Sequence, residues 1–226
     1  MSLSLIDIRH SIKLCSPRCV ACFEKTSKKG KLGGMVQTPI ILASSSPRRK
    51  ELLSQAGVSF SIVVSGCDET PVPGESPREM VERLAIVKAA VVADHNNNAF
   101  VIGADTTVCI DGEVLGKPES VEQACEMLAK IQGRTHEVLG GIAILNRTLN
   151  LERVWSHSTK VTMAPMSEEV IARYVRSGEP MDKAGSYAIQ GLGLQFVESI
   201  EGSYSNVVGL NITSLMRELV AIGAHS

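Results

Sequence analysis

The 226 residues, 44% hydrophobic and 21% charged, describe a globular chain large enough to bury its own core, and exclude a disordered, collagen-like or disulfide-stapled mini-protein. With 4% aromatic residues and a formal net charge of −1, the chain lacks the stacking faces and the basic excess of a single-stranded nucleic-acid binder. No apolar run reaches the ~18 residues of a membrane helix.

The near-neutral total conceals a basic segment. Residues 1–34 carry Arg9, Lys13, Arg18, Lys25, Lys28, Lys29 and Lys31 against Asp7 and Glu24, which leaves the remainder acidic. We therefore expect a basic, disordered extension over 1–34, consistent with translation from a start codon upstream of Met35, and one domain over 35–226. An organellar presequence is the rival for the tail, opposed by Asp7, Glu24 and poor periodicity. His10, Cys15, Cys19 and Cys22 fit no standard zinc spacing. Cys67, Cys109 and Cys125 stand singly among apolar neighbours, as reduced core cysteines do, which places the chain in a reducing compartment, the cytoplasm.

From Pro39 onward, short β-rich runs alternate with helical ones. Ile40–Ala43 reads as a buried strand, then Ser44-Ser45-Ser46-Pro47 as a turn and cap opening a helix over 48–56, stopped by Gly57. Ser59–Ser65 is a second strand. A proline-rich loop over 71–77 launches a helix to about Asp94, with Leu84, Val87, Lys88 and Val91 near helical spacing. Strands are expected at 99–102, 107–110 and 114–115, the last two joined by an Asp111-Gly112 hairpin turn. A helix over 120–131 ends before Gly133. Two long strands, 138–145 and 153–163, pair through a turn near 146–150, and Ser167 caps a helix over 168–176. Residues 182–193 read as a loop, 195–200 as a strand and 212–221 as an amphipathic helix. The alternation gives an α/β fold with a mixed sheet and flanking helices.

Chemistry concentrates at a few junctions. Ser44, Ser46, Arg48 and Arg49 lie where a strand hands over to a helix, a place that offers hydroxyls, guanidiniums and helix amides to phosphate. The structural alternative is an ordinary capped helix. Gly103-Ala104-Asp105-Thr106 places a carboxylate at the end of an apolar strand, and Cys67-Asp68-Glu69 does so after the preceding one. Two such carboxylates suit a hard divalent cation shared with phosphate oxygens, or else are solvated turns. Lys117, in a constrained loop, and Lys183 and Gln190, in the 182–193 loop, are further polar candidates. His136 at a strand start is more often structural than catalytic. There is no Walker A, G-x-G-x-x-G, G-x-S-x-G or zinc-protease motif. Cationic groups plus strand-end carboxylates point to phosphoryl chemistry on a small anion.

The run Ile41-Leu42-Ala43-Ser44-Ser45-Ser46-Pro47-Arg48-Arg49-Lys50-Glu51-Leu52-Leu53 resembles the opening signature of the Maf family of nucleoside triphosphate pyrophosphatases. Gly103–Thr106, Gly116–Pro118, Asp182–Gly185 with Ile189–Gly191, and Gly202–Tyr204 with Val207–Leu210 match its later blocks in order. Asn211 departs from the proline that relatives often carry. The resemblance implies an elongated α/β fold, two lobes around a central cleft, related to inosine triphosphate pyrophosphatases. It implies hydrolysis of a nucleoside triphosphate to the monophosphate and pyrophosphate with a divalent metal (Mg, Mn or Co). By the same resemblance Asp105 is the proton acceptor, and Glu69 and Lys117 are active-site residues; the metal is expected on the strand-end carboxylates Glu69 and Asp105. Arg48, Thr106 and Gln190 match positions that separate the branches; this set is similar to the branch acting on dTTP, UTP and modified pyrimidine triphosphates. Ser44, Ser46, Arg49 and Lys183 complete the expected substrate site. The alternatives are the 7-methyl-GTP branch and a non-catalytic, nucleotide-binding regulator of cell division, as the family's historical link to septum formation suggests. The sequence is compatible with a homodimer and leaves the oligomeric state open; no membrane or specific nucleic-acid partner is expected.

Overall fold

The computed structural model describes residues 38–225, so the expected 1–34 extension, its cysteines and the presequence and zinc readings lie outside the described residues. Strand β1 (Ile40–Leu42) leads into helix α1 (Pro47–Gln55), then β2 (Ser61–Ile62) and α2 (Pro77–Ala93). Next come β3 (Phe100–Ile110), β4 (Glu113–Leu115), α3 (Val121–Ile131), β5 (Thr135–Asn146) and β6 (Leu151–Met163). Helix α4 (Glu168–Val175), strand β7 (Val197–Glu201), α5 (Tyr204–Val208) and α6 (Ile212–Ala221) complete the order. The sheet runs β2-β1-β3-β5-β6-β7, with β4 pairing β3 off that path. β1 is parallel to β2 and β3, while the β3–β4, β3–β5, β5–β6 and β6–β7 pairs are antiparallel. A mixed sheet with flanking helices is thus what the alternation predicted.

The helix starts follow their caps. Ser46, Ser76, Ser120 and Ser167 each accept an amide three residues on, and Ser76 with Glu79 forms a capping box. Asn211, the departure from proline, caps α6 by accepting from the Ser214 amide at 3.2 Å.

The core divides in three. Val101, Ala143 and Leu145 pack against Ala85, Ala89 and Val92 of α2 on one face of the sheet. Ile102, Ala104, Ile142 and Ile144 meet Leu53, Leu215 and Leu219 of α1 and α6 on the other. A third cluster gathers Val108, Leu115, Leu128, Val161 and Tyr174 around α3 and α4.

Several expectations need correction. β3 is one unbroken strand through Gly103–Thr106, so Asp105 is mid-strand; β5 pairs it continuously from Val101 to Cys109 and holds it extended. The 59–65 strand shortens to Ser61–Ile62, an exposed edge with a partner on one side only. Strand 195–200 begins at Val197, because Gln195 and Phe196 close a 3-10 turn over Gly191–Phe196. Residues 182–193 are more ordered than a loop, with further 3-10 turns at Glu179–Asp182 and Ala184–Ser186. Helix α5, capped by Ser203, is an additional element beyond those expected. Cys67, Cys109 and Cys125 are free thiols of intermediate exposure rather than fully buried residues, and Cys125 packs against the core cluster around α3 and α4.

Candidate active site

β1 pairs β3 only as far as Leu42 opposite Ile102, and β4 takes up the same edge of β3 only from Val108. Between them, residues 103–107 have no strand on that side, and a cleft of about 690 Å³ opens there. Side chains on both faces of β3 therefore reach one cavity: Asp105 on the face covered by α2, and Thr106 on the face of α1 and α5.

At its floor, Lys88 of α2 is buried and donates to Asp105 Oδ1 at 2.7 Å and to Glu69 Oε2 at 2.8 Å. α2 comes this close because the facing strand residues are glycines. A Cβ at Gly103 would lie 2.1 Å from the Ala85 carbonyl oxygen, and one at Gly141, which pairs with Asp105, 2.2 Å from that of Val81. Glu69 sits in an exposed loop held from the same helix: Arg83 forks onto Glu75 at 2.6 and 2.8 Å and donates to the Thr70 carbonyl at 3.4 Å. Lys88 is the residue the sequence reading missed, and the available signal was a lysine at the apolar spacing of an amphipathic helix, four residues after Leu84.

The cations form the walls. Arg49 donates to the Gly209 carbonyl at 2.8 Å, the Thr106 hydroxyl at 3.0 Å and, more weakly, the Ser44 hydroxyl at 3.5 Å. Burial pushes its guanidinium below the usual arginine range, and Asp105 opposes that shift. Three of its five N–H groups are thereby used and two remain for a ligand. Ser44 also accepts from the Ser46 amide at 3.1 Å, and the Ser46 hydroxyl caps α1, so both serines carry structural bonds at the cleft wall. Arg48 lies 3.6 Å from Asp182, and Lys183 bonds to Asp182 and to the Glu179 carbonyl at 3.2 Å. Burial raises the Asp182 carboxyl, but Lys183 and Arg48 outweigh it and hold the group below its ordinary value. Lys117 is exposed at the rim, its loop tied by the Gly185 amide to the Gly116 carbonyl at 3.1 Å. Gln190 also lines the cleft. All ten candidate residues thus border one cavity, whose lining carries five cations (Arg48, Arg49, Lys88, Lys117, Lys183) against Glu69, Asp105 and Asp182. The cleft is locally basic within an acidic domain, which suits a polyphosphate.

His136 is not among the cleft residues. It is buried in β5 with Nε2 2.8 Å from the Tyr187 hydroxyl and Nδ1 unpartnered, and burial pushes it down to about 4.

Among the described residues no group of three or more His, Cys, Asp or Glu side chains gathers to cage a metal. The donor set nevertheless fits a hard divalent ion. Glu69 Oε1 and Asp105 Oδ2 have no hydrogen-bond partner among the described residues, and Mg²⁺ characteristically takes one or two carboxylates and completes its shell with water and substrate phosphate.

Residues 39–222 match the family model described as Maf-like protein. The dTTP/UTP pyrophosphatase of Pelotomaculum thermopropionicum is 48% identical over 184 residues, covering 81% of this chain and 96% of its own. That of Bacillus cereus strain G9842 is 49% identical over 180 residues, covering 80% and 93%. The solved Staphylococcus aureus Ham1 protein aligns at 16% identity and a TM-score of 0.44, over 82% of this chain and 99% of that one.

Proposed function

The chain belongs to the Maf family, and from that membership together with its cleft we propose that it hydrolyses dTTP and UTP to the nucleoside monophosphate and pyrophosphate. The observation that carries this reading is the Lys88–Asp105–Glu69 cluster at the floor of a cleft walled by four more cations.

Water attacks the α-phosphorus, the α–β anhydride bond breaks, and pyrophosphate leaves with the bridging oxygen. Asp105 orients that water and takes its proton on its carboxylate, which Lys88 fixes through Oδ1. Lys88 fixes the carboxylate rotamer and ties it to Glu69, so the base is preorganised before substrate arrives. Arg48, the free N–H groups of Arg49, Lys117 and Lys183 bind the phosphate oxygens and offset their charge. Glu69 and Asp105 would hold a divalent cation, which supplies further charge neutralisation when bound. Thr106 and Gln190 border the remaining space and read the base: a uracil or thymine edge presents one N–H between two carbonyls, and a carboxamide both accepts and donates. The free thiols of Cys67, Cys109 and Cys125 suit a reducing compartment, and we place the protein in the cytoplasm.

Pyrophosphate release from dTTP, UTP, CTP, ATP and 7-methyl-GTP, with and without Mg²⁺, tests the proposal. Preference for dTTP and UTP is the expected result. Preference for 7-methyl-GTP would move the chain to the other branch, and no release from any triphosphate would leave a binding protein.

A further inference from the structure

Gln190 stands in a short turn, and both flanks of that turn are tied to one pair of side chains. Before it, the Ala188 amide donates to the Tyr174 hydroxyl at 3.1 Å. After it, the Leu192 amide donates to Glu179 Oε1 and the Gly193 amide to Glu179 Oε2, both at 2.9 Å. The pair is itself joined, since the Tyr174 hydroxyl donates to Glu179 Oε2 at 2.7 Å. Tyr174 is buried at the end of α4 and packs edge-on against Phe196, so the anchor belongs to the core cluster around α3 and α4.

The turn is shaped to this anchor. Gly191 has φ +78°, and a Cβ there would lie 2.1 Å from Glu179 Oε1; one at Gly193 would lie 2.5 Å from the Tyr174 hydroxyl. Two glycines therefore let the backbone wrap closely round a carboxylate and a phenol. A carboxylate accepting two backbone amides and a hydroxyl is a strong, directional clamp. Neither Glu179 nor Tyr174 lines the cleft, and Glu179 meets the phosphate-binding wall only through its backbone carbonyl, which accepts from Lys183 at 3.2 Å and which a side-chain substitution leaves in place.

We propose that Glu179 and Tyr174 are positioning residues for base selection, holding the 188–193 turn so that Gln190 meets the nucleobase in a fixed pose. The proposal rests on Gln190 reading the base. Loosening the clamp should harm recognition of the base and spare the phosphates, because misplacing a contact by about 1 Å is costly only for what that contact touches.

The experiment compares dTTP with a base-less probe, deoxyribose 5-triphosphate, in the wild type, Glu179→Gln, Gln190→Ala and the double variant, with thermal melts as folding controls. In Glu179→Gln an NH₂ replaces one accepting oxygen and faces a backbone N–H. We expect kcat/KM for dTTP to fall ~10-fold, mostly through KM, with the base-less probe within about twofold of wild type. Gln190→Ala should show the same selective loss, and the double variant should be no worse than either single one. Uniform loss or no loss in Glu179→Gln, alongside a selective loss in Gln190→Ala, overturns the clamp and leaves base reading by Gln190 standing. No selective loss in Gln190→Ala overturns that reading and the clamp with it. Should Glu179→Gln fail to fold, Tyr174→Phe, which deletes a single oxygen, carries the same expectation at ~3-fold.

Discussion

Lys88 Nζ lies 2.7 Å from Asp105 Oδ1, and both side chains are nearly closed to solvent, at 9% and 12% exposure. A buried ion pair with one member removed leaves an uncompensated charge, at a cost of about 3–5 kcal/mol, whereas removing both can be neutral. Lys88→Met and Asp105→Asn should each lower stability, and the double variant should recover much of it. Activity should not recover. Each single variant and the double should fall at least ~10²-fold in kcat, because the base or the group that orients it is gone. A double variant that regains turnover along with stability would show the pair to be structural and place the base elsewhere.

Arg49 makes a sharper case of mixed duty, since it links α1 to the turn between α5 and α6 while keeping two N–H groups for substrate. In Arg49→Ala the Gly209 carbonyl keeps the Thr106 hydroxyl as donor at 3.2 Å, so the structural loss is limited. We expect about 1–2 kcal/mol, or roughly 3–6 °C in melting temperature. KM for dTTP should also rise ~10-fold. Arg49→Lys should rescue little, because one ammonium cannot reproduce the fork. An unchanged KM in a destabilised Arg49→Ala would confine the residue to its structural bonds.

Much of this architecture is written locally. Ile212–Ala221 reads as a helix because Leu215 and Leu219 recur at helical spacing, and both are fully buried. The strands at 135–146 and 151–163 are long β-rich runs around a polar turn, and they pair without a shift from Thr135 to Asn146. What the sequence hides is set by partners distant in the chain. Asp105 reads as a strand end because Gly103 looks like a turn residue; only the proximity of α2 explains a glycine there inside a strand. Lys88 stands at the apolar spacing of α2, which marks it as inward-facing, but its role is set only by Glu69 and Asp105, which the fold places beside it. The ordering of 188–193 comes from Glu179 and Tyr174, whose role lies in bonds to backbone amides that leave no residue pattern.

Gly103 and Gly141 test how closely α2 must approach. An added Cβ at either meets helix backbone, which cannot swing aside as a flexible side chain would. Alanine at either position should cost about 1–3 kcal/mol and move Lys88 away from Asp105. Since the pair must be held within fractions of an ångström, kcat should fall ~10-fold even at temperatures where the variants are folded. Thermal melts and turnover of Gly103→Ala and Gly141→Ala check this. A wild-type melting temperature with wild-type kcat would mean that the helix has slack to yield.

His136 predicts how stability responds to acid. Burial lowers its folded-state pKa to about 4, and a proton would leave Nδ1–H without a partner inside the core. In the unfolded chain the imidazole titrates near its ordinary ~6.5. Between these values the unfolded state binds the proton and the folded state does not, so stability is full above pH ~6.5 and declines as pH falls towards 4. The slope approaches about 1.4 kcal/mol per pH unit, for a total on the order of 3 kcal/mol. His157 is also lowered, by burial and then by Arg217 and Arg78, and acts in the same direction. Glu75, held down mainly by its hydrogen bond from Arg83, titrates below its usual range and so falls outside the pH 6.5–4.5 window. Urea denaturation at half-unit steps across that window should give a steadily falling stability in the wild type. His136→Gln, which cannot be protonated, should start lower at pH 7, having lost part of the bond to Tyr187, but decline less steeply. An equal slope in the two proteins would reject His136 as the source of the acid sensitivity.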